Sequence, residues 1–450
     1  MHLTYRNVND AFRRLVELFA GPRSQSMVVR KNSRNGPVMM IEEPVTITYT
    51  HPRERVLFNQ ARDANPFFHL YESLWMLAGR NDVAPLKYYV DSIDQFSDDG
   101  KTFNGAYGRR WRKAANWHKT CDLILGPGEP TMETLDQLQI LIQHLKAQPE
   151  SRRAVLQMWN AEDDLLKIGQ QCEACLGKGR QLYNEVGQRG GKTGFKLDYE
   201  DDASSCKVCN GKGTISSKDV CCNLSVMFSI RDSGLPSTTR SIKHPELGPL
   251  PTSDKYLDMT VTNRSNDMIW GMLGANVVHF SFLQEYMAAH LGCEVGVYNQ
   301  FTNNLHVYEK GWEPDKWLAY DVADYYCDFN LSQMEDSLKT SMWGKRFTTI
   351  PLIKDPAVFD KELPRFVETH GRGQYTEPFL RDVAQWVCGA FAAHKERIYD
   401  RALLRCSDIQ ADDWRIACEQ WLLKRKKMWE QKNLHKAQPY SFGVENATDN

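Results

Sequence analysis

The stretch Asp219-Val-Cys-Cys-Asn-Leu-Ser-Val-Met-Phe-Ser-Ile-Arg-Asp232 constrains the fold more than any other part of the chain. After the paired cysteines, Leu224, Val226, Phe228 and Ile230 alternate with Ser225, Met227, Ser229 and Arg231. A period of two is that of a half-buried strand. Gly234 and Pro236 break the pattern, and a second alternating run follows at Tyr256-Leu-Asp-Met-Thr-Val-Thr-Asn-Arg-Ser265. Two such runs joined by a polar loop predict neighbouring antiparallel strands. A cysteine at the mouth of the first strand, facing polar side chains from the second, is placed to act as a nucleophile. Free cysteine is equally at home as a small, inert core residue. On their own, Cys221 and Cys222 leave both roles open.

The surrounding motifs narrow the choice. The second run leads into Arg264-Ser-Asn-Asp-Met-Ile-Trp-Gly-Met-Leu-Gly-Ala-Asn276, and Leu305-His-Val-Tyr308 follows. With these motifs in this order, the chain resembles the thymidylate synthase family, including its pyrimidine hydroxymethylase branch. The likeness covers most of residues 1–312, apart from an insertion at about 164–217. It implies an α/β protein with a mixed sheet, flanking helices and dimerisation through the sheet. The expected division is a catalytic part at 1–163 and 218–312, the insertion at 164–217, and a mostly helical extension at 313–450.

Bulk properties agree. A chain of 450 residues holds one large domain or two average ones. With 56 basic and 57 acidic residues, no global field favours nucleic acid or membrane. There is no apolar run of about 18 residues and no secretory start. Of the 12 cysteines, Cys172, Cys175, Cys206 and Cys209 form two Cys-x-x-Cys pairs, which in a long intracellular chain read as metal ligands. The expectation is a soluble cytoplasmic protein.

Several segments supply candidate site residues. Val8 to Phe19 has helical apolar spacing that stops at Gly21-Pro22. The polar turn Lys31-Asn-Ser-Arg-Asn-Gly-Pro37 stands where the family keeps a phosphate-closing arginine, so the resemblance points to Arg34. Residues 66–79 predict an apolar helix with Gly79 as its stop and Glu72 inside it. A carboxylate there is costly unless partnered, and it matches the glutamate that moves protons through water at the carbonyl and N3 edge of the base. Asn104-Gly-Ala-Tyr-Gly-Arg-Arg-Trp111 resembles the turn that sets Tyr107 beside the base. Residues 131–147 predict another helix, after which Arg152 and Arg153 open a strand. The family donates that pair to the neighbouring subunit's phosphate, which two forked, charge-assisted contacts suit.

The resemblance also assigns Arg264 and Ser265 to the phosphate, the backbone of Asp267 to the base, and His306 and Tyr308 to the sugar 3′ hydroxyl. The residue opening the next helix, Val277–Leu291, reads the base. Asn276 fills that place if one extra residue is allowed in Gly271–Asn276; an ungapped alignment puts Ala275 there. An amide can donate to O4 and accept from N3–H, whereas a carboxylate only accepts, so Asn276 favours uracil over cytosine. Five departures point to the hydroxymethylase branch, one of them Asn304, which stands where many members have aspartate. Asp94, in Ser92-Ile-Asp-Gln-Phe-Ser97, stands where methylating members carry an indole, Asn223 replaces a histidine, Met227 a glutamine, and no short apolar tail ends the chain.

Inside the insertion, Cys172-Glu-Ala-Cys175-Leu-Gly-Lys-Gly and Cys206-Lys-Val-Cys209-Asn-Gly-Lys-Gly are nearly one unit written twice. Two knuckles supply the four sulfurs of a tetrahedral structural zinc, with iron as a chemical alternative. The polar stretch between them cannot make a core, so the metal would staple it. The unit looks like the cysteine-rich module of J-domain co-chaperones. Beyond 312 the pattern predicts helices at Phe379–Tyr399 and Asp412–Gln431, the latter carrying the charge run Lys424-Arg-Lys-Lys427.

The resemblance therefore implies 5-hydroxymethylation of a pyrimidine deoxynucleotide, dUMP ahead of dCMP, with 5,10-methylenetetrahydrofolate. The Cys222 thiolate, favoured by nearby arginines, adds to C6 and makes C5 a carbon nucleophile. Two other readings stay open: thymidylate synthase itself, and a non-catalytic nucleic-acid or partner-binding protein built on the knuckles and the basic helix. The likeness extends to enzymes that viruses use to build modified DNA.

Overall fold

A computed structural model describes residues 1–22, 24–33, 35–115, 134–180, 182–189, 192–199, 205–232, 254–319 and 349–434. The chain forms two compact units, Met1–Arg55 with Tyr71–Trp312, and Val56–Leu70 with Glu313–Asn450.

The first unit is organised on a six-stranded mixed sheet. Its order is His2–Tyr5, Val45–Tyr49, Glu294–Thr302, Lys255–Asn263, Asn223–Asp232 and Val155–Gln157. The two alternating runs are adjacent and antiparallel, with Val226 opposite Val261 and Phe228 opposite Met259. Their alternation sorts as expected in the middle of the sheet: Leu257, Met259, Val261, Val226 and Phe228 are buried, while Thr260, Thr262, Ser225 and Ser229 are not. A bulge between Asn223 and Ser225 interrupts the ladder just after the cysteines and re-aims the chain there.

Helix Asn276–Leu291 covers the apolar face and is buried from Asn276 to Ala288. Gln284 in it donates to the carbonyls of Leu257 (2.8 Å) and Gly296 (3.2 Å), fixing the helix to the two central strands. Helix Val8–Ala20 is capped by Asn7, whose side chain accepts from the amides of Asn9 and Asp10. It buries Val8, Phe12, Leu15, Val16 and Phe19, the spacing expected from sequence. Helix Pro66–Leu77 ends before Gly79, whose φ is +70°. The helix expected at 131–147 spans Gln137–Ala147: Asp136 caps it and Leu135 belongs to a short strand. Met132 lies outside the described residues. An aspartate that accepts from the Gln139 amide at 3.0 Å ends the helix at that point.

In the second unit, the run expected as one helix over Phe379–Tyr399 is broken. Leu380–Ala384 is a π-helical turn leading into Gln385–Lys395, and a separate helix starts at Tyr399. Arg397 between them has φ +64°, a left-handed conformation that ends a helix. Asp412–Leu434 is helical, and Phe67 packs on Phe391 and Trp421 with centroids 5.3 and 5.4 Å apart. The basic run is largely spent internally. Lys424 and Arg425 pair with Asp63 at 3.2 and 2.8 Å, and Lys426 pairs with Asp400 at 2.7 Å. No described helix is long and apolar enough to cross a membrane.

Candidate active site and metal centre

Cys221 and Cys222 separate clearly. Cys221 is buried, its thiol donates to the Asn223 carbonyl at 3.0 Å, and burial pushes its pKa up to about 12. Cys222 keeps solvent access at the mouth of the strand. Arg264, arriving at the end of the neighbouring strand, wraps this corner. Its Nε donates to the Cys221 carbonyl (2.9 Å) and its Nη2 to the Val220 carbonyl (3.0 Å), and Nη2 lies 3.7 Å from the Cys222 sulfur. A guanidinium at that distance stabilises charge on sulfur. The guanidinium also faces the Trp159 ring at 5.8 Å.

The sheet beneath this corner is polar. Asn223 is in register with Asn263, and Asn263 with Thr302. Both amide atoms of Asn223, Oδ1 of Asn263, both amide atoms of Gln300 and Oγ1 of Thr302 are buried without hydrogen-bond partners among the described residues. A buried cluster of this kind is a place for ordered water.

Tyr107 begins the helix Tyr107–Arg112 and packs on Phe280 with centroids 5.8 Å apart. Burial raises its pKa well above the ordinary phenol value, and the nearby Cys222, Cys221, Asp219 and Glu72 push it the same way. Its hydroxyl is therefore a stable proton donor beside the thiol and the carboxylate. The turn carrying Tyr107 is held from both sides of the insertion. Arg110 makes a two-pronged pair with Asp164 (2.6 and 3.0 Å), Lys167 contacts the Asn104 side chain, and Asp219 accepts from the Gly105 amide at 2.8 Å.

Glu72 lies on the helix Pro66–Leu77, and its Oε2 comes to 2.9 Å of His279 Nε2. Sequence reasoning missed His279; its signal was an imidazole three residues after Asn276, one helical turn along the same face. Asn276 opens that helix, and its Nδ2 donates to Asn266 Oδ1 at 3.1 Å. Ahead of it, Met268–Ala275 is π-helical. A π turn takes up one more residue than an α turn. Gly271 is needed here, since a Cβ would stand 2.4 Å from Asn266 Oδ1.

Of the remaining expected ligands, Asp267 caps the π segment, its side chain accepting from the amides of Ile269 (2.8 Å) and Trp270 (2.6 Å). Ser265 Oγ lies 3.5 Å from His306 Nδ1, and His306 and Tyr308 share a strand face with ring centroids 5.4 Å apart. Asn304 Nδ2 donates to the Arg264 carbonyl at 3.0 Å, joining the two segments. Arg34 lies outside the described residues. Arg152 and Arg153 are exposed and are not gathered with the others. Gln157 pairs with Ser225 and Val155 with Met227, and the chain turns just before this strand, the Val155 amide donating to the Arg153 carbonyl at 2.9 Å.

The four knuckle cysteines converge, with all sulfurs buried and within 4.8 Å of one another. Cys172 and Cys206 are 3.9 Å apart, Cys175 and Cys209 3.7 Å. Four thiolates around zinc, at about 2.3 Å each, need edges of roughly 3.8 Å. The amides of Gly179 and Gly213 donate to the sulfurs of Cys175 and Cys209 at 3.3 and 3.2 Å, stabilising thiolate charge. The cluster fits a tetrahedral metal ion.

Comparison with known proteins agrees with this geometry. The family model described as thymidylate synthase matches residues 60–184. A deoxyuridylate hydroxymethyltransferase of Pseudomonas phage M6 is 35% identical over 422 residues, 92% of each chain. A second protein of that name, from Bacillus phage SP01, is 33% identical over 59% of this chain and 49% of its own. A thymidylate synthase of Coxiella burnetii is 34% identical over 92 residues, 20% of this chain and 30% of its own. The chain belongs to the thymidylate synthase family, in its deoxyuridylate hydroxymethyltransferase branch.

Proposed function

We propose that the protein 5-hydroxymethylates dUMP, using 5,10-methylenetetrahydrofolate and water. The observation that carries this reading is Cys222, accessible at the sheet's mouth with Arg264 Nη2 3.7 Å from its sulfur. The names of the two phage relatives support the same substrate and product. In this reading Cys222 bonds to C6 and the displaced π electrons move through C5 and C4 to O4. Glu72 and Tyr107 manage the proton at that edge, and the amide of Asn276 reads uracil. Arg264, Ser265 and Arg34, with Arg152 and Arg153 of a second copy, take the phosphate, while the Asp267 backbone meets the base and His306 and Tyr308 the sugar.

The folate fits the residues present: Trp270, 64% exposed on the segment after Asp267, offers an aromatic surface to a flat ring system. When bound, it supplies the one-carbon unit that C5 acquires. Asp94 is partly exposed and ion-paired to Lys87, so the segment that methylating relatives seal with an indole is hydrated here. That favours water as the source of the hydroxyl oxygen.

The sheet face opposite helix Asn276–Leu291 carries partly exposed side chains, including Met227 at 38% and Val155 at 45%. That face, together with the exposure of Arg152 and Arg153, supports a homodimer in which each copy completes its partner's phosphate site. The Cys172, Cys175, Cys206 and Cys209 cluster is assigned to structural zinc, and the protein to the cytoplasm.

Incubation with 5-fluoro-dUMP and the folate tests the nucleophile. An adduct is expected on the Cys222 peptide, retained in Cys221→Ser and lost in Cys222→Ser; the opposite pattern sinks the assignment. Mass spectrometry of the dUMP product decides the reaction. Oxygen from labelled water in a hydroxymethyl product is expected. TMP with stoichiometric dihydrofolate would instead make the protein a thymidylate synthase.

A further inference from the structure

Among the buried titratable groups of the catalytic unit, His279 stands out. It is 2% exposed, and both ring nitrogens are buried. Its Nε2 reaches Glu72 Oε2 at 2.9 Å, yet the two are not aligned as a hydrogen bond. Nδ1 also has no partner among the described residues. Buried polar atoms are rarely left in this condition, so the contact is unfinished without a third group.

The placement puts that contact among the residues assigned to the base. His279 follows Asn276 by three residues on one helix, so both side chains project from the same face. Phe280, the next residue, is the platform on which Tyr107 packs. One helical turn thus presents the base-reading amide, an imidazole against Glu72, and the support of Tyr107. We propose that His279 is a positioning residue for Glu72, resting on the reading of the site as a dUMP hydroxymethylase. The imidazole, with Nε2 2.9 Å from Oε2, holds the carboxyl group in place. When C6 gains the Cys222 sulfur and electrons collect at O4, Glu72, acting as the acid, hands a proton through an ordered water to the oxygen. It returns when O4 becomes a carbonyl again. The imidazole also fixes which carboxylate oxygen faces the base. Nothing is consumed, since the proton lent to O4 comes back in the same cycle.

The test is a double-mutant cycle on the full-length protein with dUMP and folate. His279→Phe keeps the ring and removes both nitrogens; kcat is expected to fall about 100-fold, within the range for a displaced acid–base group, with the KM for dUMP changed less than threefold. His279→Gln, which retains a donor near the Nε2 position, should recover roughly tenfold of that loss. In a Glu72→Gln background, His279→Phe should cost less than a further twofold, because groups acting as one unit are not additive. Multiplying losses in that background, or a kcat within threefold of the parent for His279→Phe, would overturn the proposal. Should His279→Phe fail to fold, His279→Gln enters the same cycle, with the same demand for non-additivity. If the unaltered protein makes no 5-hydroxymethyl product, the reading of the site falls, and the proposal with it. An active parent with an indifferent His279 removes the proposal alone.

Discussion

Asp164→Ala offers a severe test of how the site is held. Asp164 is fully buried and Arg110 7% exposed, and the pair closes with contacts of 2.6 and 3.0 Å. Arg110 also donates to the carbonyls of Met158 (2.6 Å) and Asn104 (3.1 Å). Removing the carboxylate leaves those carbonyls to solvate a buried guanidinium alone. Breaking a buried pair from one side costs about 3–5 kcal/mol, and a domain of this size loses roughly 2–4 °C in Tm per kcal/mol. The expected fall is roughly 6–20 °C, read by thermal melting and urea titration. Arg110→Met with Asp164→Leu, which removes both charges, should restore most of it, since an apolar replacement of a buried pair is often close to neutral. The charge effect also has a catalytic echo: Arg110 shares its helix with Tyr107, so kcat should fall further than KM rises in Asp164→Ala. A loss below about 1 kcal/mol, or a double variant as weak as the single one, would refute the claim that this pair pins the turn.

Three other outcomes are expected. Protein purified without chelator should carry about one zinc per chain, and Cys175→Ser should lower both zinc content and Tm; metal-free protein with an unchanged melt would dismiss the site. Burial, helped by Arg397, Arg425 and Lys395, depresses His394 from 6.5 to about 4. The folded state thus holds a neutral ring while the unfolded chain protonates first. Its contribution is present above about pH 6.5 and is lost as the pH falls toward 4. After allowance for solvent screening this is on the order of 1–2 kcal/mol; comparing urea midpoints of parent and His394→Gln at pH 7 and 5 isolates it, and identical slopes would discard it. Asp94→Trp should leave the melt within a few degrees, because the Lys87 pair is a surface one. If shielding from water decides the product, it should divert part of the flux to TMP and dihydrofolate, and an unchanged product ratio would count against that explanation.

The sequence was most legible where period and chemistry coincide. The alternation at Leu224–Ile230 and Tyr256–Asn263 carried the sheet's centre, because a strand with one covered face leaves no freedom of register. The knuckles were legible because two thiolates on a glycine turn serve few other purposes. The need for one extra residue before Asn276 was visible as an alignment mismatch, but the π turn over Met268–Ala275 was not. Contacts between distant segments were out of reach. Glu72 signalled its need for a partner by sitting in an apolar helix, yet nothing in the chain's order said that His279 would answer it. Cys222 was preferred to Cys221 in sequence because it directly precedes the alternating strand, while the burial of Cys221 became visible only in the fold. The break at Arg397 escaped notice because helical periodicity continues across it while one φ reverses.

The position of the insertion has a mechanical consequence. Its stems are Asp164–Lys167 on entry and Ser217–Asp219 on exit, and both close on one short segment. Arg110 and the Asn104 side chain meet the entry stem, while Gly105 and the Asn104 amide meet Asp219. On the outer side, Ser217 and Lys218 contact the carboxylate of Asp98. The exit stem then runs within three residues into Cys222. A knuckle pair that fixes the separation of the stems therefore fixes, at once, the turn bearing Tyr107 and the approach of the chain to its nucleophile. The stems are also paired directly, Gln170–Gln171 with Thr214–Ile215, and a metal held by the four cysteines would add its folding free energy at the same place. Loss of such a metal is expected to disturb Tyr107 and Cys222 before the rest of the sheet.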